Sequence, residues 1–327
     1  MAKTVLVTGG AGYVGAHACK ALAAAGYQPV VYDNLVHGHE QAVRWGPLER
    51  GELSDRARLD EVFDRHRPDA VMHFAAFTAV GESVSDPGKY YRNNVAGSLA
   101  LIEATAAHGV DRLVFSSTAA TYGLPGRIPI TEDAPNNPIN PYGRSKLMIE
   151  QILFDFEAAH GLKSAIMRYF NAAGASPDGE IGECHDPETH LIPLALDAIT
   201  GKGPELTVFG SDYPTPDGTC VRDYIHVSDL AEAHVAALDR LAGGSATRVY
   251  NLGTGSGVSV REILNAIEKV TGKAVPHRLG PRRPGDPPVL VSDPSRARAE
   301  LGWDAGMSDI ETIIATAWAW HQRAAGG

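Results

Sequence analysis

Cysteine is scarce in this chain. Its 327 residues include three, Cys19, Cys184 and Cys220, an odd set with neither disulfide-framework nor zinc-ribbon spacing. A disulfide scaffold is excluded, and the cytoplasm, a reducing compartment, is the expected location. Basic charge is in deficit: 29 Lys and Arg stand against 39 Asp and Glu, a net charge of −10. Nucleic acid and anionic membrane surfaces call for the opposite balance, so neither partner is expected. An anionic small molecule would need a local cluster of basic side chains. No apolar run reaches spanning length, so no transmembrane helix is expected. Met1-Ala2-Lys3 runs straight into an apolar strand, and no leader is expected. Internal repeats and low-complexity segments are also missing. What is there, 44% hydrophobic and 21% charged, is ordinary globular material for one large or two modest domains.

Residues 4–8 (Thr-Val-Leu-Val-Thr) are β-branched and apolar, the pattern of a buried strand. Gly9-Gly10-Ala11-Gly12-Tyr13-Val14-Gly15 follows at once, then a helical run from Ala16 to Ala25 stopped by Gly26. A second apolar strand, Pro29 to Tyr32, ends at Asp33. Strand, glycine turn, helix, strand, acid is the order of a dinucleotide site. Gly9, Gly12 and Gly15 let the backbone approach a pyrophosphate, and the helix N-terminus offers it N–H groups. A carboxylate at Asp33 can bind ribose hydroxyls and would repel a 2′-phosphate. NAD is therefore favoured over NADP.

A second constellation lies further on. Residues 112–117 (Arg-Leu-Val-Phe-Ser-Ser) read as a short strand ending in hydroxyls, and Pro141 opens a helix. Tyr142 and Lys146, four apart, share a helical face. An ammonium beside a phenol favours the phenolate, which would make Tyr142 a usable acid or base near neutral pH.

Strand and helix alternate through the first half. Strands are expected at Leu48–Leu53, Ala70–Phe74, Arg112–Ser117 and Ser164–Arg168. Helices are expected at Asp55–Arg67, Lys89–His108 and Tyr142–His160. The implied architecture is α/β, a Rossmann-type doubly wound parallel sheet with a smaller C-terminal mixed α/β lobe. Residues 1–170 would form the NAD-binding domain, with a segment near 224–252 returning to it, and residues 171–327 the second lobe. Residues 174–190 read as a loop. In the second half helices are expected at about 191–200, from a Ser228 cap to Leu241, and after the capping-box patterns Ser259-x-x-Glu262 and Ser308-x-x-Glu311. Strands are expected at 206–209 and Val249–Leu252.

The chain resembles the extended short-chain dehydrogenase/reductases, and within them the nucleotide-sugar 4-epimerases. The resemblance runs from about Thr4 to Trp320. It rests on Thr8-Gly9-Gly10-Ala11-Gly12-Tyr13-Val14-Gly15, Val80-Gly81-Glu82-Ser83, Tyr142-Gly143-Arg144-Ser145-Lys146 and Arg168-Tyr169-Phe170-Asn171. Two later phrases are more particular to that branch: Phe209-Gly210-Ser211-Asp212-Tyr213-Pro214-Thr215 and Arg222-Asp223-Tyr224-Ile225-His226-Val227. The resemblance implies interconversion of UDP-glucose and UDP-galactose through a 4-keto sugar, with tightly held NAD, in a cytoplasmic homodimer. Tyr142 would be the acid/base, Lys146 would bind the nicotinamide ribose, and Thr118 would assist at the sugar 4-hydroxyl.

By the same resemblance NAD would touch Gly9, Gly12, Tyr13, Val14, Gly15, Asp33, Asn34, Glu52, Phe74, Ala75, Asn93, Ser116 and Tyr169. The nucleotide-sugar would touch Asn171, His190, Leu191, Phe209, Arg222, Arg283 and Asp286. Two arginines suit a diphosphate, because guanidinium pairs bidentately with phosphate oxygens. Glu52 stands where Asp is usual, and Phe77-Thr78-Ala79-Val80 lacks a Lys that many relatives carry. Counting on from Arg283-Pro284-Gly285-Asp286, the residue walling the sugar pocket is Leu290. Cys184, His185 and His190 fit no common metal spacing, and no metal is expected. A nucleotide-sugar 4,6-dehydratase would carry Asp-Glu after Thr118; Ala119-Ala120 stands there instead. A non-catalytic NAD sensor would lack the Tyr–Lys pair.

Overall fold

The computed structural model describes residues 2–283 and 286–326. Its centre is a parallel sheet of seven strands. Six come from the first half: β1 (Thr4–Thr8), β2 (Gln28–Asp33), β3 (Leu48–Arg50), β4 (Ala70–His73), β5 (Arg112–Thr118) and β6 (Lys163–Tyr169). The seventh, Arg248–Leu252, returns from the second half and pairs with β6. The spatial order is Arg248–Leu252, β6, β5, β4, β1, β2, β3.

These strands are apolar without alternation because helices cover both faces. On one face α1 (Tyr13–Ala24) and helix Val227–Ala242 bury Leu22, Leu230 and Leu238 against Val5, Val7 and Met72. On the other, α2 (Arg56–His66) and helices Gly97–Ala107 and Pro141–His160 bury Leu59, Phe63, Leu101 and Leu153 against Leu6, Val71 and Phe115. β1 lies between β2 and β4, so the winding reverses beside it. The crevice at the carboxyl ends of strands at such a reversal is where ligands bind in open α/β sheets.

The rest of the second half is mixed, with three small sheets. Asn171–Ala173 pairs with Tyr224–His226, and Leu206–Phe209 with His277–Gly280. Val221–Arg222 lies between Val258–Ser259 and Val289–Leu290. Ile192, Leu196, Ile263, Ile267 and Ile314 form a separate core beneath them. Among the described residues no helix is long and apolar enough to cross a membrane.

Several expected elements are corrected. The single helix expected over Lys89–His108 is a short helix Pro87–Tyr90, a π-helical turn Tyr91–Ala96 and helix Gly97–Ala107. The wide turn seats Asn94, whose amide bonds both main-chain groups of Phe77 at 2.9 and 3.0 Å. Periodicity alone cannot reveal that tertiary demand. β3 ends at Arg50: the Gly51 amide makes one further bond along the ladder, to the Asp33 carbonyl at 3.2 Å, and the chain then turns at Leu53-Ser54. Ser228 does not cap its helix; the His226 ring accepts from the Ser228 amide at 3.1 Å and does so. Ser308 points inward to Asp229, and Asp309 takes the Thr312 amide at 2.9 Å. The capping box at Ser259 and Glu262 is present as expected.

Candidate active site

The glycine turn leaves β1 at the reversal. Gly9 has φ +72°, and a Cβ there would stand 2.5 Å from the Ala75 amide nitrogen. Only glycine tolerates both demands. A Cβ on Gly15 would collide with the Gly9 carbonyl oxygen. Gly12 caps α1 without any side-chain bond, and the first turn holds no acid. The helix dipole and N–H groups there suit an anion. Phe74 and Ala75 follow β4, their amides bonded to the Thr8 carbonyl at 2.9 and 3.1 Å.

Asp33 ends β2 and accepts from the Ala11 amide at 3.0 Å and the Leu35 amide at 2.8 Å. Burial raises its pKa, and those bonds oppose the rise. Asn34 donates to Glu52 at 3.0 Å, so the two residues expected beside the nucleotide meet at the sheet edge. Val14 packs on the core below, while the Tyr13 hydroxyl donates to the Gly174 carbonyl at 2.6 Å. A cradle a Cβ would fill, an uncapped helix start and a carboxylate at the next strand end fit NAD.

Three strands away, the end of β5 carries the second constellation. Asn140 caps the helix that follows, accepting from the Gly143 amide at 2.8 Å, with Pro141 in its first turn. That geometry turns Lys146 inward. The residue is 2% exposed, and its ammonium donates to the Ser116 carbonyl at 2.7 Å and lies 4.9 Å from the centre of the Phe115 ring. Burial pulls the Lys146 pKa down to about 7, and Glu150 pushes back. The Ser116 hydroxyl meets the Tyr169 hydroxyl at 2.6 Å.

Burial pushes Tyr142 up to about 12, and a hydrogen bond with the Thr118 hydroxyl pulls it down. The expectation that Lys146 lowers the Tyr142 pKa is therefore corrected. The lysine is held on the main chain of β5, and Thr118 is the neighbour that favours the phenolate. Thr118 also accepts from the Ala120 amide at 3.1 Å, which fixes its rotamer. Beneath them, Arg168 bonds Glu150 at 2.9 Å, and both are 2% exposed. Asn93 donates to Asn94 at 2.9 Å in the π-helical turn facing this helix.

The residues expected around a nucleotide-sugar gather on the small sheets. Arg222 is paired with Asp286, and the Arg283 guanidinium stacks 4.2 Å above the Phe209 ring. Pro284 and Gly285, between Arg283 and Asp286 in the sequence, lie outside the described residues. Leu290 is in register with Arg222 and, with Phe170, packs against the cluster of Ala119, Tyr122 and Ile130. The Asn171 amide donates to the Asp223 carbonyl at 3.1 Å. Leu191 opens helix Leu191–Thr200, and His190, just before it, bonds the Glu183 carboxylate. Glu183 and Glu188 were not singled out from sequence. Each is an acid inside a polar loop, and only the histidines two residues on from each hinted at them.

A glycine cradle at the sheet reversal, with a tyrosine one helical turn from a buried lysine at the end of β5, is the arrangement of a nicotinamide-dependent enzyme. The chain belongs to the NAD dependent epimerase/dehydratase family, whose model matches residues 5–253. It is 56% identical over 319 residues to the UDP-glucose 4-epimerase of Rhizobium meliloti (strain 1021), covering 98% of this chain and 97% of that one. The crystal structure of UDP-glucose 4-epimerase from Brucella ovis in complex with NAD superposes with TM-score 0.96 at 53% identity, covering 97% and 98% of the two chains. That from Bifidobacterium longum, in complex with NAD+ and UDP, gives 0.93 at 41% identity, covering 99% and 100%.

Proposed function

We propose that this chain interconverts UDP-glucose and UDP-galactose by inverting C4 through a transient 4-keto sugar. The observation that carries this is the glycine cradle at the sheet reversal together with Tyr142 and the buried Lys146 at the end of β5, in a chain similar along its whole length to UDP-glucose 4-epimerases. Residues 1–170, with the segment near 224–252, hold the cofactor in this reading, and residues 171–327 hold the UDP-sugar.

NAD, when bound, supplies the site that takes a hydride from sugar C4 and returns it. The chain's own residues bind, orient and move the proton. Gly9, Gly12 and Gly15 bring main chain to the pyrophosphate, and Asp33 takes the adenosine ribose. Lys146, anchored on Ser116, is directed at the second ribose. Tyr142 removes the 4-hydroxyl proton and later restores it, with Thr118 holding that hydroxyl in line. Arg222 and Arg283 grip the diphosphate while the keto sugar turns its other face. Asn171, His190 and Leu191 line the nucleotide side, and Leu290 walls the sugar.

Incubating purified protein with UDP-galactose and nothing else tests this. UDP-glucose should accumulate, and denatured protein should release NAD. A requirement for stoichiometric added cofactor would make the chain an ordinary dehydrogenase instead. The same reading places the enzyme in the cytoplasm as a homodimer, joined through helix Pro141–His160 and the helices before Ala107. Met148 and Phe154, 41% and 43% exposed on that helix, support it. Sedimentation at micromolar concentration should give a dimer; a monomer would contradict the assembly.

A further inference from the structure

Glu183, His185, Glu188 and His190 lie on the irregular segment between strand Asn171–Ala173 and helix Leu191–Thr200. One donor atom from each falls within 4.8 Å of all the others. We propose that these four side chains bind one divalent transition-metal ion of the zinc class, which clasps this segment beside the glycine turn. The expectation of no metal, drawn from Cys184, His185 and His190 alone, overlooked both carboxylates.

The geometry is close to what such an ion needs. His185 Nδ1 is 3.1 Å from Glu183 Oε1 and 3.6 Å from Glu188 Oε2. His190 Nδ1 is 3.8 Å from Glu188 Oε1 and nearer still to Glu183 Oε1. A tetrahedron with metal–ligand bonds of about 2.1 Å has edges of about 3.4 Å. The first three separations bracket that length, so small rotations of the side chains would close the shell. Two carboxylates and two neutral imidazoles, each bound through Nδ1, balance a doubly charged ion, and His190 keeps its Nε2–H for the nucleotide side. Two ring nitrogens disfavour magnesium and calcium, which prefer all-oxygen shells, and suit zinc.

The surroundings hold the donors in place, as supporting bonds around metal ligands do. Glu188 Oε1 accepts from the Thr189 and His190 amides at 2.6 and 2.8 Å. Trp320 donates to the Glu183 carbonyl at 2.8 Å, and the His39 ring bonds the Cys184 carbonyl at 2.9 Å. The His185 ring stands edge-on to Tyr13, centroids 6.1 Å apart. An ion here would close residues 183–190 on themselves, with Tyr13 of α1 and Trp320 of helix Ile310–Gly326 packed against the closed loop. The rival account is a network of imidazole–carboxylate hydrogen bonds with protons in the metal's place.

The test uses full-length protein treated with EDTA, freed of chelator and titrated with zinc chloride. Calorimetry gives the affinity, and elemental analysis of the dialysed protein gives the stoichiometry. One zinc per chain is expected, with EDTA lowering the melting temperature of the loaded protein. His185→Ala and Glu188→Gln should each weaken binding by more than about 100-fold. Cys184→Ser, which removes an exposed thiol on the same segment, should keep one zinc per chain. Circular dichroism and retained NAD check that the variants fold; if His185→Ala does not, Glu188→Gln carries the comparison. No uptake by the wild type would overturn the proposal. So would uptake that survives both ligand substitutions, or that vanishes with Cys184.

Discussion

The end of β5 and the segment 174–190 both gather ionisable side chains, and they hold them by opposite means. At β5 each group is fixed to regular structure. Lys146 is on the Ser116 carbonyl, Thr118 on the Ala120 amide, and Glu150 on Arg168, all nearly excluded from solvent. On the segment, itself neither helix nor strand, the side chains are fixed chiefly to each other, and the His190 side chain is 52% exposed. Burial in a rigid frame perturbs single groups strongly, as the pKa values of about 12 for Tyr142 and about 7 for Lys146 illustrate. At neutral pH such burial leaves the Tyr142 hydroxyl protonated and brings the Lys146 ammonium close to its point of deprotonation. Mutual pairing on a loop leaves donors convergent and adjustable, which suits holding a charge.

Tyr142→Phe breaks the first side of the comparison most severely. It deletes one hydroxyl from a packed frame, so fold and bound NAD should persist. Turnover of UDP-galactose should fall by about 10²–10⁴-fold, the usual worth of general acid–base help. Turnover near that of the wild type would remove Tyr142 from the chemistry.

Leu290→Cys sharpens the boundary between the two halves. Leu290 belongs to a small sheet yet packs against the cluster of Ala119, Tyr122 and Ile130 that follows the end of β5. An N-acetyl group beside it should meet a steric cost of about 1–3 kcal/mol, by analogy with overpacking. The wild type should therefore convert UDP-N-acetylglucosamine slowly. The cysteine variant should raise kcat/KM for that sugar more than for UDP-glucose. Equal efficiency for the two sugars in the wild type, or an unchanged ratio in the variant, would show that Leu290 is not the wall.

His234→Leu probes the smallest effect, the cost of keeping an ionisable group in the rigid frame. His234 lies among Phe74 and Tyr169, with Nδ1 donating to the Leu230 carbonyl at 2.8 Å and Nε2 unpartnered among the described residues. Burial pulls its pKa down to about 4, while the Leu230 bond pushes back. The unfolded chain protonates this ring below about 6.5, whereas the folded chain stays neutral until about 4. Across that window the unfolded state binds more protons, so stability falls as pH falls, by at most about 1.4 kcal/mol per unit. Melting temperatures from pH 7 down to 4.5 should decline less steeply in the leucine variant. Parallel slopes would mean that His234 already titrates normally.

How much of this was legible in the sequence follows the same division. Gly9, Gly12, Gly15 and Asp33 were readable because each answers to local geometry: a positive φ, a close approach, a helix start, a strand end. Tyr142 and Lys146 were readable from helical spacing, but their electrostatics were not. Which neighbour faces the phenol depends on where β5 ends relative to the helix. The π-helical turn at Asn94 was hidden because its cause, the Phe77 main chain, lies 17 residues away. Arg222 and Asp286 each came from resemblance, and their pairing across 64 residues was not foreseen. The His226 cap was missed because a ring nitrogen replaced the serine oxygen that pattern rules look for.

The central claim is that one bound cofactor takes the C4 hydride and gives it back while Tyr142 handles only the proton. It is tested most directly with UDP-galactose deuterated at C4, turned over by the purified enzyme in ordinary water with no cofactor added. The account predicts UDP-glucose that keeps its deuterium at C4, with no net accumulation of NADH. Product carrying solvent hydrogen at C4 would contradict it, because the hydrogen would then have left as a proton.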